Sequence, residues 1–277
     1  MILIGGMAQT KASWEHQLPY LSKNRQVIVY ECMGQGKNNS DIEGDADKNH
    51  QDVSLKAQAE KLLETIQNEN NEMKIQTPVD LVGFSFGARV AMATMTLANE
   101  SSENNSPPCS IRKLHLTGVA TDRSDYGHLA VQAWKECLQQ DPSLRSFAWS
   151  ILMATYSPSF LRRQQERSML GRYVDHISTH NSRDGLLALM EQAEVNDHED
   201  PWHVANMAER MPQSCEGRLC VGELDQMAPV EYANELSERL GWGAPTVIPR
   251  CAHAVAVEGA RDWRKSVLEF LNGDRSR

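Results

Sequence analysis

A serine hydroxyl attacks a carbonyl only when a base takes its proton, and that base works only when a third group orients it. Residue types suited to those three roles occur in this sequence in the order Ser85, Asp225, His253. Ser85 is the centre of Gly83-Phe84-Ser85-Phe86-Gly87. The apolar run Val79-Asp80-Leu81-Val82 precedes it, and the helix-compatible Ala88-Arg89-Val90-Ala91-Met92 follows. A chain that passes from strand to helix in so few residues must hold the serine in a strained turn, and flanking glycines relieve the crowding. The helix N-terminus then sets backbone N–H groups and a positive dipole end beside the hydroxyl.

Asp225 lies in Gly222-Glu223-Leu224-Asp225-Gln226-Met227-Ala228-Pro229, a turn-forming stretch after an apolar run. Glu223 is the competing acid, but it stands closer to the strand. His253 follows Thr246-Val247-Ile248 within Pro249-Arg250-Cys251-Ala252-His253. Acyl transfer also needs donors for a developing oxyanion. The backbone N–H of Phe86 and that of Met7, in Gly5-Gly6-Met7-Ala8, are the expected pair. His115 falls inside a strand, and His128, His176, His180, His198 and His203 fall in or beside a helical block. No two have HExxH spacing, so no metal site and no cofactor are expected.

These residues require a particular scaffold. Ile2–Ile4, Val27–Tyr30, Val79–Val82, Ile111–Leu116, Leu219–Val221 and Thr246–Ile248 are near-continuous apolar runs, as strands covered on both faces require. Between the second and third, Leu55, Ala59, Leu62, Leu63 and Ile66 share one helical face, with Asp52 or Ser54 placed to cap it. The alternation predicts an α/β fold with a mostly parallel central sheet and helices on both faces. From Thr121 to Arg210 the strand signal vanishes. Helical patterns run instead over 129–138, 144–154, 160–177 and 186–193. This block is expected to be a helical cap inserted over the C-terminal edge of the sheet. Residues 1–120 and 211–277 then form the core, and 121–210 the cap. The polar stretches 68–77 and 101–108 read as loops.

Bulk properties narrow the partners. A net charge of −9 excludes a general phosphate-backbone binder, so nucleic acid is not an expected partner. Arg162, Arg163, Arg167 and Arg172 read as a solvated helix face. No apolar run approaches the roughly 20 residues that span a bilayer, so no integral membrane association is expected. Six cysteines without a CxxC pair read as small core residues in a reducing, intracellular compartment.

With these residues in view, the sequence resembles the α/β-hydrolase superfamily of the capped kind, over nearly its whole length. Gly5-Gly6 stands where that family usually has a His-Gly pair, and Glu31-Cys32-Met33-Gly34-Gln35-Gly36 resembles its DxRGxGxS loop, with Glu31 and Asn38 replacing Asp and Ser. The resemblance also implies two further strands ahead of Ile2, so the sequence is expected to begin inside the domain, and an organellar protein is one expected outcome. Ser85-Phe86-Gly87-Ala88-Arg89 is similar both to an esterase group that includes pimeloyl-carrier-protein methyl esterases and to 2-succinyl-6-hydroxy-2,4-cyclohexadiene-1-carboxylate synthases. The first resemblance implies hydrolysis of a carboxylic ester or thioester of a small to medium substrate. The second implies a carbon–carbon lyase that eliminates pyruvate in quinone biosynthesis, with Arg89 holding a substrate carboxylate. A non-catalytic receptor on the same scaffold is the third alternative. Arg89, Phe84 and Trp149 are the expected substrate-binding residues, and the expected partner is a small molecule.

Overall fold

A computed structural model describes residues 1–39, 52–67, 78–103 and 111–273. The loop reading at 68–77, the 104–108 part of the one at 101–108, and Cys109 lie outside the described residues, whereas 101–103 end a helix rather than open a loop. The strands are β1 (Ile2–Ile4), β2 (Ile28–Tyr30), β3 (Val79–Phe84), β4 (Ile111–Thr117), β5 (Glu216–Gly222) and β6 (Thr246–Ile248). They form one six-stranded sheet in the order β2-β1-β3-β4-β5-β6. Every pairing is parallel, with Ile4 opposite both Tyr30 and Gly83, and Thr117 opposite both Phe84 and Cys220. Burial follows this order. All residues of the central β1 and β3 are buried, whereas β2 and β6, at the two edges, are partly exposed. A parallel sheet covered on both faces turns its middle strands into unbroken apolar runs, which is why they were visible.

The first helices are α1 (Leu18–Leu21), α2 (Leu55–Gln67) and α3 (Phe86–Glu103). On α2 the five apolar residues are buried as their spacing requires, and Ser54 Oγ accepts from the Ala57 N–H at 3.3 Å. Leu62, Met92 and Leu114 belong to the core on one face of the sheet. Trp14, Val82, Trp263 and Val267 belong to the core on the other.

Between β4 and β5 come α4 (Asp125–Gln140), α5 (Arg145–Thr155), α6 (Pro158–Glu166), α7 (Leu170–His180), α8 (Arg183–Gln192) and α9 (Val204–Arg210). Ser124, Ser157 and Ser182 cap α4, α6 and α8 by accepting from backbone N–H groups three residues on. The continuous helix expected over 160–177 is two helices. Ser168 adopts a left-handed φ of 55° between them, and apolar spacing alone carries no sign of that break. The short α9 was not anticipated. Its N-cap is the His203 side chain, an uncommon capping residue. The chain closes with α10 (Val230–Arg239), α11 (Val255–Glu258) and α12 (Ala260–Asn272). Strand β5 begins at Glu216, earlier than the apolar run suggested, because its first residues pair through backbone opposite Lys113 while Glu216 forms an ion pair with the Lys113 side chain at 3.1 Å. Cys32, Cys215, Cys220 and Cys251 are buried free thiols, and Cys137 is half-buried.

One histidine makes the core sensitive to pH. His115 on β4 is fully buried, with Nε2 3.0 Å from Ser266 Oγ. Burial, aided by Arg218, pulls its pKa down to about 3. Above the unfolded value near 6.5 the ring is neutral in both states and contributes no slope. Below it the unfolded chain takes a proton that the folded chain refuses, so stability falls with pH. Between pH 6.5 and 5 this group alone costs about 2 kcal/mol. Urea unfolding at pH 7 and pH 5 is expected to show a drop in stability that is smaller by about that amount in His115→Gln. Equal drops would mean that the buried imidazole does not govern the acid limb.

Candidate active site

Ser85 occupies the single position between the end of β3 and the start of α3. Its φ is 51°, in the left-handed region that non-glycine residues rarely enter. The conformation is held by the Ser85 N–H donating to Thr117 O at 2.7 Å, and by Ser85 O accepting from the Ala88 N–H at 2.9 Å. Glycine is required on both sides. A Cβ on Gly83 would lie 2.5 Å from Ala88 Cα, and one on Gly87 would lie 2.3 Å from Ile4 O. Helix α3 therefore passes closer to the sheet than any side chain would permit.

Three parallel strands bring the remaining groups to the same edge. Asp225 follows β5 and His253 follows β6. The Ser85 Oγ–H donates to His253 Nε2 at 2.8 Å, and His253 Nδ1–H donates to Asp225 Oδ2 at 2.8 Å. The Asp225 side chain is fully buried and the imidazole nearly so. The other carboxylate oxygen, Oδ1, accepts from the Met227 and Ala228 N–H groups, each at 2.9 Å. Gly118 closes the back of the imidazole. Its φ is 64°, and a Cβ there would stand 2.9 Å from His253 Cε1. The apolar pattern of β4 stops at Leu116, so nothing in it singled this glycine out.

Two loops brace the site. Gln35, buried, donates through Nε2 to Gly6 O and Gln9 O at 3.2 and 3.0 Å, and its Oε1 accepts from the Ala8 N–H at 3.0 Å. This one amide holds the loop after β1 open around Met7. Among the described residues, neither the Met7 nor the Phe86 backbone N–H is taken up by another group. On the far side, Glu258 Oε1 accepts from the Ala252 N–H at 3.1 Å and the Ser157 N–H at 3.0 Å, while Ala254 N–H donates to Thr155 O at 2.9 Å. The loop bearing His253 is thereby fastened to the junction of α5 and α6. Burial is the largest influence on Glu258 and raises its pKa.

Ser85 and His253 lie where two cavities meet. The larger, about 860 Å³, is walled by Phe84, Ile151, Leu152, Tyr156, Phe160 and Ile177. The smaller, about 80 Å³, is the more polar of the two, adding Thr121, Asp122, Arg123, Glu194, Asn196 and His203 to apolar walls such as Val131 and Trp134. Phe84 is placed as expected, with its ring centroid 5.5 Å from that of His253. Trp149 departs from expectation: it is partly exposed and lines neither cavity. Arg89 reaches the polar cleft, but its guanidinium is committed elsewhere. It donates to Glu194 Oε2 at 3.1 Å and to Ala193 O at 3.2 Å, and Arg123 holds the same carboxylate oxygen. Burial pushes the Glu194 pKa up, but the two guanidinium groups prevail and hold it below the ordinary range. Arg89 thus pins α3 to the residues just after α8. Arg162, Arg163, Arg167 and Arg172 are exposed, as expected, but fall on or beside two helices, and Arg167 and Arg172 also reach the large cavity. Glu223, the competing acid, points away, accepting from the Arg250 N–H at 2.7 Å.

The family is decided by a match that spans the fold. Residues 1–263 match the model of the alpha/beta hydrolase family. The chain belongs to that family. No curated protein matches the sequence. Among solved structures, the chain is similar to MGS-M2, an alpha/beta hydrolase enzyme from a Medee basin deep-sea metagenome library, with 21% identity, a TM-score of 0.71 and coverage of 98% of this chain and 88% of that one. It is also similar to the enol-lactonase from Burkholderia xenovorans LB400, at 17% identity, a TM-score of 0.72 and coverage of 98% and 90%. A thermophilic esterase from Thermogutta terrifontis is matched at 16% identity, a TM-score of 0.71 and coverage of 98% and 89%. At these identities the likeness speaks for the fold alone. Among the described residues, no helix is long and apolar enough to cross a membrane.

The two acids are separable by experiment. In Asp225→Asn the amide oxygen can keep the Met227 and Ala228 N–H groups, which turns the amide NH2 toward His253 and forces the wrong tautomer. Turnover is expected to fall about 10³- to 10⁴-fold in Asp225→Asn and less than about tenfold in Glu223→Gln. The reverse ranking would make Glu223 the partner of His253.

Proposed function

We propose that this alpha/beta hydrolase cleaves a carboxylic ester or thioester of a small to medium acyl substrate, with Ser85 as nucleophile, His253 as base and Asp225 as its orienting acid. The observation that carries the proposal is the unbroken Ser85–His253–Asp225 chain, with both bonds at 2.8 Å. His253 Nε2 takes the Ser85 proton as Oγ bonds to the acyl carbon. The carbonyl oxygen becomes an oxyanion facing the Met7 and Phe86 N–H groups. As the intermediate collapses, the imidazolium protonates the departing alkoxide or thiolate and leaves an acyl-Ser85. Water, deprotonated by the same imidazole, attacks this ester, releasing the acid and restoring the hydroxyl. Asp225 stabilises the imidazolium in both halves without taking its proton.

The helical block 121–210 acts in this reading as a cap whose α5–α7 side forms the acyl wall. The contrast of about 860 Å³ that is mainly apolar against about 80 Å³ of mixed lining supports placing the acyl chain in the large cavity and a small leaving group in the cleft. The lyase alternative needs Arg89 for a substrate carboxylate, and the pairing of Arg89 with Glu194 argues against that role.

A fluorophosphonate is expected to label wild-type protein and not Ser85→Ala, which should retain its fold and lose turnover. Labelling that persists in Ser85→Ala would overturn the assignment. Each buried methylene contributes about 0.8 kcal/mol, so the four additional methylenes of methyl octanoate should raise kcat/KM over that of methyl butanoate by up to about 200-fold. The opposite order would put the acyl group in the polar cleft. Arg89→Ala is expected to lower stability by about 1–3 kcal/mol, because Glu194 stays buried with Arg123 alone. Ester kcat/KM, measured well below the unfolding temperature, should change little. A selective loss of turnover at unchanged stability would return Arg89 to the substrate.

A further inference from the structure

Three histidines surround one carboxylate at the rim of the smaller cleft, and none is a member of the Ser85–His253–Asp225 chain. Asp122 lies in the turn after β4, His198 in the loop after α8, and His203 at the N-cap of α9. His198 Nε2 is 3.3 Å from Asp122 Oδ2, and His203 Nε2 is 3.9 Å from Oδ1. The His198 and His203 rings are 4.5 Å apart between centroids. One ligand atom from each of the three falls within 4.8 Å of the others. A third imidazole approaches from α4, with His128 Nε2 3.9 Å from Asp122 Oδ1.

We propose that Asp122, His198 and His203 form a binding site for a divalent transition ion of the zinc type, which joins the start of the helical block to its end. Two imidazoles and a carboxylate are the donor set that zinc favours over calcium or magnesium, which take oxygen ligands. Three protein ligands leave a fourth position, and two of the three, Asp122 and His203, line the cleft. His128 is near enough to supply the fourth.

The surroundings are arranged for ligation. The Arg123 N–H donates to Asp122 Oδ1 at 2.7 Å and fixes the carboxylate, turning Oδ2 toward His198. The His203 side chain is only 4% exposed, so its ring is held in place beside Asp122 and the His198 ring. Ligation at Nε2 places the proton on Nδ1 and gives up the Ala205 N–H contact there, which at 3.4 Å is already long. Tetrahedral zinc with bonds near 2.0–2.1 Å separates its donors by about 3.4 Å. Closing that gap requires movement on the order of 1 Å, available to His198, whose side chain is 71% exposed. The expectation of no metal site rested on the absence of an HExxH pair. These ligands come from separate elements, which no local spacing reveals.

The test is calorimetric titration of the full, tag-free, metal-stripped chain with zinc chloride at pH 7.5. One equivalent should bind with a micromolar Kd, and EDTA should reverse it. At about 100 times Kd the unfolding temperature should rise by about 5 °C. His198→Ala, an exposed change that leaves the fold alone, should weaken binding at least about 30-fold, and Asp122→Asn should do likewise. His180→Ala removes the other close histidine pair, His176 and His180 on α7, and should change nothing. A Kd above 1 mM, wild-type affinity in His198→Ala, or loss of binding in His180→Ala would each overturn the proposal. None of these readouts depends on ester turnover.

Discussion

The rest of the site hangs on a backbone conformation at one residue. A left-handed serine costs on the order of 1–3 kcal/mol and persists only where its surroundings over-determine it. Here they do so from three sides. The end of β4 accepts the Ser85 N–H, the first turn of α3 donates to Ser85 O, and the loop after β1 packs against its side chain through Gly6. Relaxing Ser85 would tilt α3 away from Ile4, and with it the Phe86 N–H that faces the same space as Met7. The strain therefore fixes the direction of the hydroxyl and the position of the Phe86 N–H together.

Parallel pairing does the remaining positioning. Because β3, β5 and β6 run the same way, their following loops emerge on one edge, and residues far apart in sequence meet without any local motif linking them. Polar and apolar space then divide around Ser85. On one side the helical block contributes aromatic and aliphatic walls from α5, α6 and α7. On the other, Arg123 before α4 and Arg89 on α3 share Glu194, which lies after α8. The space around Ser85 is thus asymmetric, with one side drawn from the middle of the helical block and the other from its flanks and α3.

The parts legible in the sequence were those governed by local physics. The strands of the buried middle showed as apolar runs because both faces are covered, and Gly83 and Gly87 announced the sharp turn because only glycine fits there. The order Ser, Asp, His, with the two acidic residues near the end of β5, was readable as alternatives, and the geometry separates them by where each carboxylate points. What stayed hidden depends on contacts distant in sequence. Arg89 looks the same on paper whether it faces a ligand or Glu194, more than one hundred residues away. Ser168 breaks a helix through φ alone. Trp149 resembles any cavity-lining aromatic until the helix carrying it is docked. Gln35 and Gly118 carry no pattern, because their importance comes from the loop and the ring they touch.

Glu258 gives this architecture a lasting consequence. One carboxylate receives backbone groups from both Ala252, beside His253, and Ser157, at the entrance to α6. The wall of the large cavity and the imidazole are therefore mounted on the same bracket. Substitutions in α6 that reshape the cavity for a different guest will also disturb the aim of the imidazole. In laboratory evolution, selectivity and rate at this end of the cavity should change together, in α5 as in α6, because Thr155 at the end of α5 also accepts from Ala254 beside His253.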